Sequence, residues 1–299
     1  MQLVEEVLDG IFLVDTGQFG VPAYGGAYVV RADQPALVDC GTSLAAGRIL
    51  SGLRALAIPP EQVRWALLTH IHPDHAGGAG ALLPRLTNAQ VVVHPRGLGH
   101  LADPTRLAAS ARKATGSMAG HYGTFFPIPR ARLCPAEDGT RFDLGDARLR
   151  AVAAPGHAPH HLCFLEERSG ALFTGDAVGL WRKGALLPAT VPPQFDLAAS
   201  LDTLDRLQAL RPRHLLFTHF GLCSDGRLLQ RYGEVLLDWV RRVRSVLEAT
   251  GNAEETVRRL LADPELERLP FNEAERAAEL AMSIRGVVTY LGRQAAPGR

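Results

Sequence analysis

Apolar positions fall into short runs broken by Gly and Pro through most of the chain, and into stripes of three- and four-residue spacing after Gly221. Ile11 to Val14, Ala27 to Val30, Ala36 to Val38, Trp65 to Leu68 and Gln90 to His94 read as strands. They are too short for helices and are bounded by turn residues. Phe142 to Leu144, Ala147 to Ala153, His161 to Leu165, Ala171 to Phe173 and His214 to Phe217 form a second series. Thr42 and Ser43 cap a predicted helix running to about Leu56, and another is predicted from Ala76 to Leu83, stopping at Pro84. Phe195 to Leu210 has helical periodicity, and Leu229, Tyr232, Leu236, Trp239, Val243 and Leu247 make one apolar stripe. Two more helices are predicted over about 253–263 and 272–291. Residues 95–140, with Pro95, Pro104, Pro127 and Pro129, read as a long irregular insert with one short helix from Thr105 to Ala114. Such an insert in a compact domain suggests a lid.

Chemistry concentrates in Thr69-His70-Ile71-His72-Pro73-Asp74-His75, on a predicted strand-to-helix turn. Side chains alternate along an extended segment, so His70 and His72 point the same way and can grip one cation. Pro73 suits a first helical position, so the chain bends there and aims Asp74 and His75 at a neighbouring point. Two adjacent metal positions follow. His and carboxylate donors suit zinc, iron or manganese, and no Cys in the motif offers a thiolate to close a structural zinc site. The competing reading, surface histidines beside a helix cap, fits any one of these residues better than all of them together. Gly77, Gly78 and Gly80 each weaken the following helix, a cost explained by close backbone packing.

In this setting His70-x-His72-x-Asp74-His75 resembles the signature of the metallo-β-lactamase-fold hydrolases. Val38-Asp39-Cys40-Gly41, Pro155-Gly156-His157, Thr174-Gly175-Asp176 and Thr218-His219 match that family's other motifs, in order. The resemblance implies an α/β fold, a four-layer αββα sandwich with a metal pair at one edge. It implies a catalytic domain over 1–222, carrying the 95–140 insert, and a helical extension over 223–299 like that of glyoxalase II. It assigns His70, His72 and His157 to one metal, Asp74, His75 and His219 to the other, and Asp176 to both. A hydroxide bridging two divalent ions, most simply zinc, would be the nucleophile, with Asp74 orienting it. Asp39 is either an ordinary turn residue or a carboxylate that orients a ligand histidine. His161 would lie behind the ligands or face substrate, although spacing leaves both it and His160 open as ligands. Tyr24, Tyr122, Arg182 and Lys183 are candidate substrate contacts, each with a packing or solvated-turn alternative. Esters, thioesters, lactones and phosphodiesters are the substrates implied. A mononuclear-iron sulfur dioxygenase and a tRNase Z type nuclease are the alternatives within the fold.

A net charge of +1 argues against a dedicated nucleic-acid binder. Acidic Glu5 and Glu6 stand where a signal peptide would be basic, and no apolar run approaches membrane-spanning length, which together predict a cytoplasmic protein acting on a small molecule. Cys40, Cys134, Cys163 and Cys223 lack paired spacing and predict reduced thiols; Cys40 and Cys223 lie near motifs and are weak candidates for lining the site. The helical extension has three readings: substrate binding, packing on the core, or a homodimer contact.

Overall fold

The computed structural model describes residues 2–271 and 276–295. Its first sheet has seven strands in chain order: β1 (Val4–Leu8), β2 (Ile11–Asp15), β3 (Gly26–Val30), β4 (Ala36–Val38), β5 (Trp65–Leu67), β6 (Gln90–Val93) and β7 (Leu133–Pro135). Strands β1 to β4 pair antiparallel and β4 to β7 pair parallel. The second sheet has six strands drawn from β8 (Arg141–Asp143), β9 (Arg148–Ala153), β10 (Leu162–Glu166), β11 (Ala171–Gly175), β14 (His214–Phe217) and β15 (Gly221–Cys223), in the order β15-β14-β11-β10-β9-β8. A separate hairpin joins β12 (Leu180–Arg182) to β13 (Ala185–Leu187).

Side-chain alternation sets the layers. Along β2, Ile11 and Leu13 enter the core between the sheets, while Phe12 and Val14 enter a second core under the helices. Tyr28 and Val30 of β3 and Val92 of β6 repeat the inner set, and Val29, Val91 and Val93 the outer. On the other sheet, Phe164 and Phe173 face inward while Cys163 and Leu172 face outward. Tyr28 ties the sheets together, its hydroxyl donating to the Phe217 carbonyl at 2.6 Å. Helix α1 (Ala46–Ala55) and the short α2 (Pro73–Ala76) and α3 (Ala79–Leu82) cover the first sheet. Four layers, αββα, result.

The 95–140 segment is more regular than its prolines suggest. It forms α4 (Pro95–Ala102), α5 (Thr105–Thr115) and a 3₁₀ stretch at Gly116–Tyr122, then supplies β7. Pro95 opens α4 and Pro104 caps α5, so these prolines mark helix starts, where a missing N–H costs nothing.

Helix α6 (Leu197–Ala209) and the final helices α7 (Leu228–Thr250), α8 (Ala253–Leu261), α9 (Pro264–Glu267) and α10 (Ala281–Ala295) bury their apolar sides against the outer face of the second sheet. The stripe Leu229, Tyr232, Leu236, Trp239 and Val243 on α7 forms much of that core. A π-helical turn, Arg276–Leu280, leads into α10, and residues 272 to 275 of the expected last helix lie outside the described residues. No helix among the described residues is long and apolar enough to cross a membrane.

Candidate metal centre

Strand ends from both sheets meet at one edge. Asp39 follows β4, Thr69 and His70 follow β5, Asp176 follows β11, and Thr218 and His219 follow β14. His72 caps α2 in an extended conformation and Pro73 takes the first helical position, so Asp74 and His75 turn inward on the first helical turn.

The donor atoms gather in overlapping groups: His70, His72 and His157; Asp74, His75 and His219; and His70, His75 and Asp176. His72 Nδ1 lies 2.9 Å from Nε2 of both His70 and His157. Asp176 stands between the groups, with Oδ2 3.5 Å from His157 Nε2 and Oδ1 3.3 Å from His75 Nε2 and 3.7 Å from His219 Nε2. Asp74 Oδ2 is 3.5 Å from His219 Nε2 and accepts from Gln18 Nε2 at 3.2 Å.

The outer ring nitrogens fix the tautomers. His75 Nδ1 donates to Asp39 at 2.7 Å, His157 Nδ1 to the Ala189 carbonyl at 2.7 Å, and His219 Nδ1 to the Tyr24 carbonyl at 2.8 Å. Thr69 Oγ1 spends its proton on Asp39 at 2.9 Å and therefore accepts from His70 Nδ1 at 3.0 Å. Each of these rings then turns a bare Nε2 lone pair toward the centre, the arrangement of metal-bound histidine. Lone pairs facing one another are repulsive without a cation. His75 Nε2 and Asp176 Oδ1 are buried and without a hydrogen-bond partner, so the residues present fit a divalent metal.

Asp39 organises this arrangement. It is wholly buried at φ +60°, a left-handed conformation in which Asp is enriched among non-glycine residues. Besides His75 it accepts from the Thr69 amide at 2.8 Å and the Thr218 hydroxyl at 2.9 Å, so one carboxylate joins three of the converging segments.

Electrostatics follow from burial and neighbours. Burial, reinforced by adjacent imidazoles, holds His70 and His72 well below the usual histidine range, and burial also lowers His157. At His75 burial is outweighed by Asp176, Asp39 and Asp74, and at His219 by Asp74 and Asp176, so both are raised. Burial likewise opposes ionisation of Asp74 and Asp176, but His75 and the other facing imidazoles hold both carboxyls well below their ordinary value. The facing imidazoles thus favour ionised carboxylates, the carboxylates favour the proton on His75 and His219, and a cation competes with protons for the same lone pairs.

The remaining candidates divide. His161 stacks on His70, with ring centroids 4.8 Å apart, and its Nε2 accepts from the Asp176 amide at 3.1 Å. It positions two donors from behind. A cavity opens from the donor groups, lined by His72, His157, Asp176 and His219, and His160 faces it beside His72. Tyr24 and Tyr122 are buried in the cavity wall, and Tyr24 meets His219 edge-on at 5.8 Å. Arg182 is buried with its guanidinium 4.2 Å above the Tyr24 ring. Lys183 is exposed at the tip of the β12–β13 hairpin, outside the cavity lining. Neither Cys40 nor Cys223 lines the cavity.

Two neighbours of the site carried no sequence signal. Gln18 precedes every motif. Glu279 comes from the helical extension and lines the cavity beside Tyr24. Burial, then the negative charge of Asp74, pushes its carboxyl up to about 7.

The chain belongs to the metallo-β-lactamase superfamily, whose sequence model matches residues 20–219. It is 30% identical over 235 residues to the metallo-beta-lactamase fold-containing protein ST1585 of Sulfurisphaera tokodaii, covering 76% of this chain and 84% of that one. The crystal structure of ST1585 superposes with a TM-score of 0.69 at 23% identity, over 93% of this chain and 98% of that chain. An atrochrysone carboxyl ACP thioesterase, AacuM of Aspergillus aculeatus, is 30% identical over 62% of this chain, which spans only 46% of that protein's length. An N-acyl homoserine lactonase, AttM of Azorhizobium caulinodans, is 32% identical over 53% of this chain and 56% of its own.

Proposed function

We propose that the protein is a hydrolase that uses two divalent metal ions to cleave an ester, thioester or lactone. The observation carrying this reading is the pair of inward-facing donor sets, His70, His72 and His157 on one side and Asp74, His75 and His219 on the other, with one oxygen of Asp176 turned to each. Similarity to a thioesterase and a lactonase supports acyl chemistry. Bound there, the cations supply what the side chains lack: a water whose pKa falls from about 15.7 toward about 7, and positive charge for a developing oxyanion. Asp74, held by Gln18 and open to the cavity, orients the proton of the attacking water. His161 fixes Asp176 through its backbone amide, and Asp39 fixes His75.

The cavity disfavours a nucleic-acid strand. Its Arg residues among the described lining are Arg106, exposed, and Arg242, paired with Asp263 and Glu265, so it offers no basic track for a phosphate backbone. Turnover of a panel of acyl esters, thioesters and lactones, measured on protein stripped with a chelator and then reloaded with zinc, iron or manganese, tests the reading. Activity should vanish on stripping and return on reloading. Turnover surviving complete metal removal, or no turnover on the whole panel with both sites filled, contradicts it.

A further inference from the structure

From the metal centre a cavity of about 780 Å³ runs out to exposed residues of the insert and of α7. The wall between is apolar and comes from parts outside the two sheets: Leu107 and Ala111 of α5, Leu187 of the β12–β13 hairpin, and Leu266, Leu280 and Met282 of the helical extension. The polar groups around Ala189, Thr190 and Ser283 on that wall are paired within the protein. Thr190 Oγ1 lies 2.8 Å from the Ser283 carbonyl and 2.7 Å from its hydroxyl, and it accepts from Trp239 Nε1 at 3.1 Å. The Ala189 amide donates to the Tyr232 hydroxyl at 3.2 Å, while its carbonyl takes the proton of His157 Nδ1 at 2.7 Å. A sugar, peptide or polyhydroxylated ring lying here would bury donors and acceptors without partners, a cost an aliphatic chain does not carry. Flat aromatic substrates gain little, because Arg182 covers one face of Tyr24 and Phe19 meets Tyr24 and Tyr122 edge-on at 4.9 and 5.5 Å.

We propose that this cavity is the binding site of an aliphatic acyl chain, held between the α5 insert and the helical extension with its carbonyl at the metal centre. The proposal rests on the hydrolase reading for the carbonyl end only; the chain site stands on the wall itself. It gives the insert and the extension one shared task, selection of acyl length. Polar donors sit at one end of the cavity and solvent at the other, so a chain entering from the surface is drawn past apolar groups until the carbonyl meets the donor sets.

Two measurements on the metal-loaded protein test it together. The first is kcat/KM across p-nitrophenyl esters from acetyl to dodecanoyl. Each added methylene should raise it about fourfold until the cavity is filled. The second is calorimetric binding of butanoate, octanoate and dodecanoate, which needs no turnover and should tighten along the same series. Ala111→Trp, projecting from α5 into the cavity, should lower the dodecanoyl-to-butanoyl ratio of kcat/KM at least thirtyfold, about 2.0 kcal/mol, the contact of between two and three methylenes at about fourfold each. Ala114→Trp, one turn further along the same helix, serves if that variant fails to fold. Turnover that is flat with chain length overturns the chain site while leaving the hydrolase reading intact. Dodecanoate binding that Ala111→Trp weakens, with no ester turned over, upholds the chain site and removes the hydrolase reading. Absence of both length-dependent binding and length-dependent turnover overturns the proposal.

Discussion

Asp39→Asn changes one atom of the buried carboxylate and tests how the donor set is oriented. Oδ1 of Asp39 takes the Thr69 amide proton at 2.8 Å, so in the variant the amide oxygen must stay on that side. The new NH₂ then occupies the place of Oδ2, where His75 Nδ1 now donates at 2.7 Å and the Thr218 hydroxyl at 2.9 Å. Thr218 can turn its hydroxyl to accept. His75 can accept only by moving its proton to Nε2, the nitrogen facing Asp176 and Asp74. The ring then presents N–H where the metal site needs a lone pair. Loss of such a partner weakens metal binding by about 10- to 100-fold, about 1.4 to 2.8 kcal/mol. Burial of the now uncharged amide also removes one of the negative charges that raise His75. Titration with zinc in a competing chelator should show one of two binding steps weakened by that factor and the other nearly unchanged, because His70, His72 and His157 do not touch Asp39. Equal affinity for both steps in the variant and the natural protein would refute the tautomer argument. Equal weakening of both would show that Asp39 acts through global structure instead.

Further predictions follow from single contacts. Gly175 sits at φ +47°, and a Cβ there would lie 2.6 Å from His161 Nε2 and 2.7 Å from Thr69 Oγ1; Gly175→Ala should destabilise the protein by about 2–4 kcal/mol from strain and displaced neighbours, and an unchanged denaturation midpoint would contradict it. His161→Ala leaves the buried Asp176 amide unpaired and should cost about 1–3 kcal/mol, read by urea unfolding of the metal-free protein against a His161→Gln variant that restores an acceptor. Glu279 holds its proton up to about pH 7 in the folded chain and releases it near the ordinary glutamate value when unfolded. Its folded pKa is raised, so the folded state binds more protons and stability is lost as pH climbs from the unfolded value through 7. Glu279→Gln in the metal-free protein should therefore raise Tm increasingly across that window and by a constant amount above it; a pH-independent difference would count against the burial of this carboxyl.

Much of the fold was legible because strands covered on both faces read as unbroken apolar runs: Ile11 to Val14, Ala27 to Val30 and Leu162 to Leu165 are buried throughout. β1 was not legible. Its Glu5 and Glu6 are exposed on an edge strand, where charge protects against pairing and hides the strand from a hydrophobic reading. β7 and the β12–β13 hairpin escaped for a similar reason, being short and only partly buried. Pro95 and Pro104 of the insert suggested irregular chain and instead mark helix starts, since Pro at the start of a helix and Pro in a loop leave the same trace. At the site, the residues from one strand-helix turn could be read from local geometry: His70 and His72 by alternation, Asp74 and His75 by the turn at Pro73. His157, Asp176 and His219 lie far along the chain and were visible only through resemblance. Gln18, the Ala189 carbonyl and Glu279 were not visible at all. They reach the site through tertiary packing, and a backbone carbonyl carries no residue signature. Lys183 illustrates the opposite error: neighbouring Arg182 turns in toward Tyr24, and Lys183, next along a tight hairpin, turns out to solvent.

Metal content per chain bears most directly on the central claim. Elemental mass spectrometry on the natural protein and on Asp176→Ala, after equilibration with zinc and removal of the excess, counts the ions. The account predicts two equivalents in the natural protein and a loss of occupancy in the variant, because Asp176 turns an oxygen to each donor set. One equivalent or none in the natural protein, or two retained by Asp176→Ala, would contradict it.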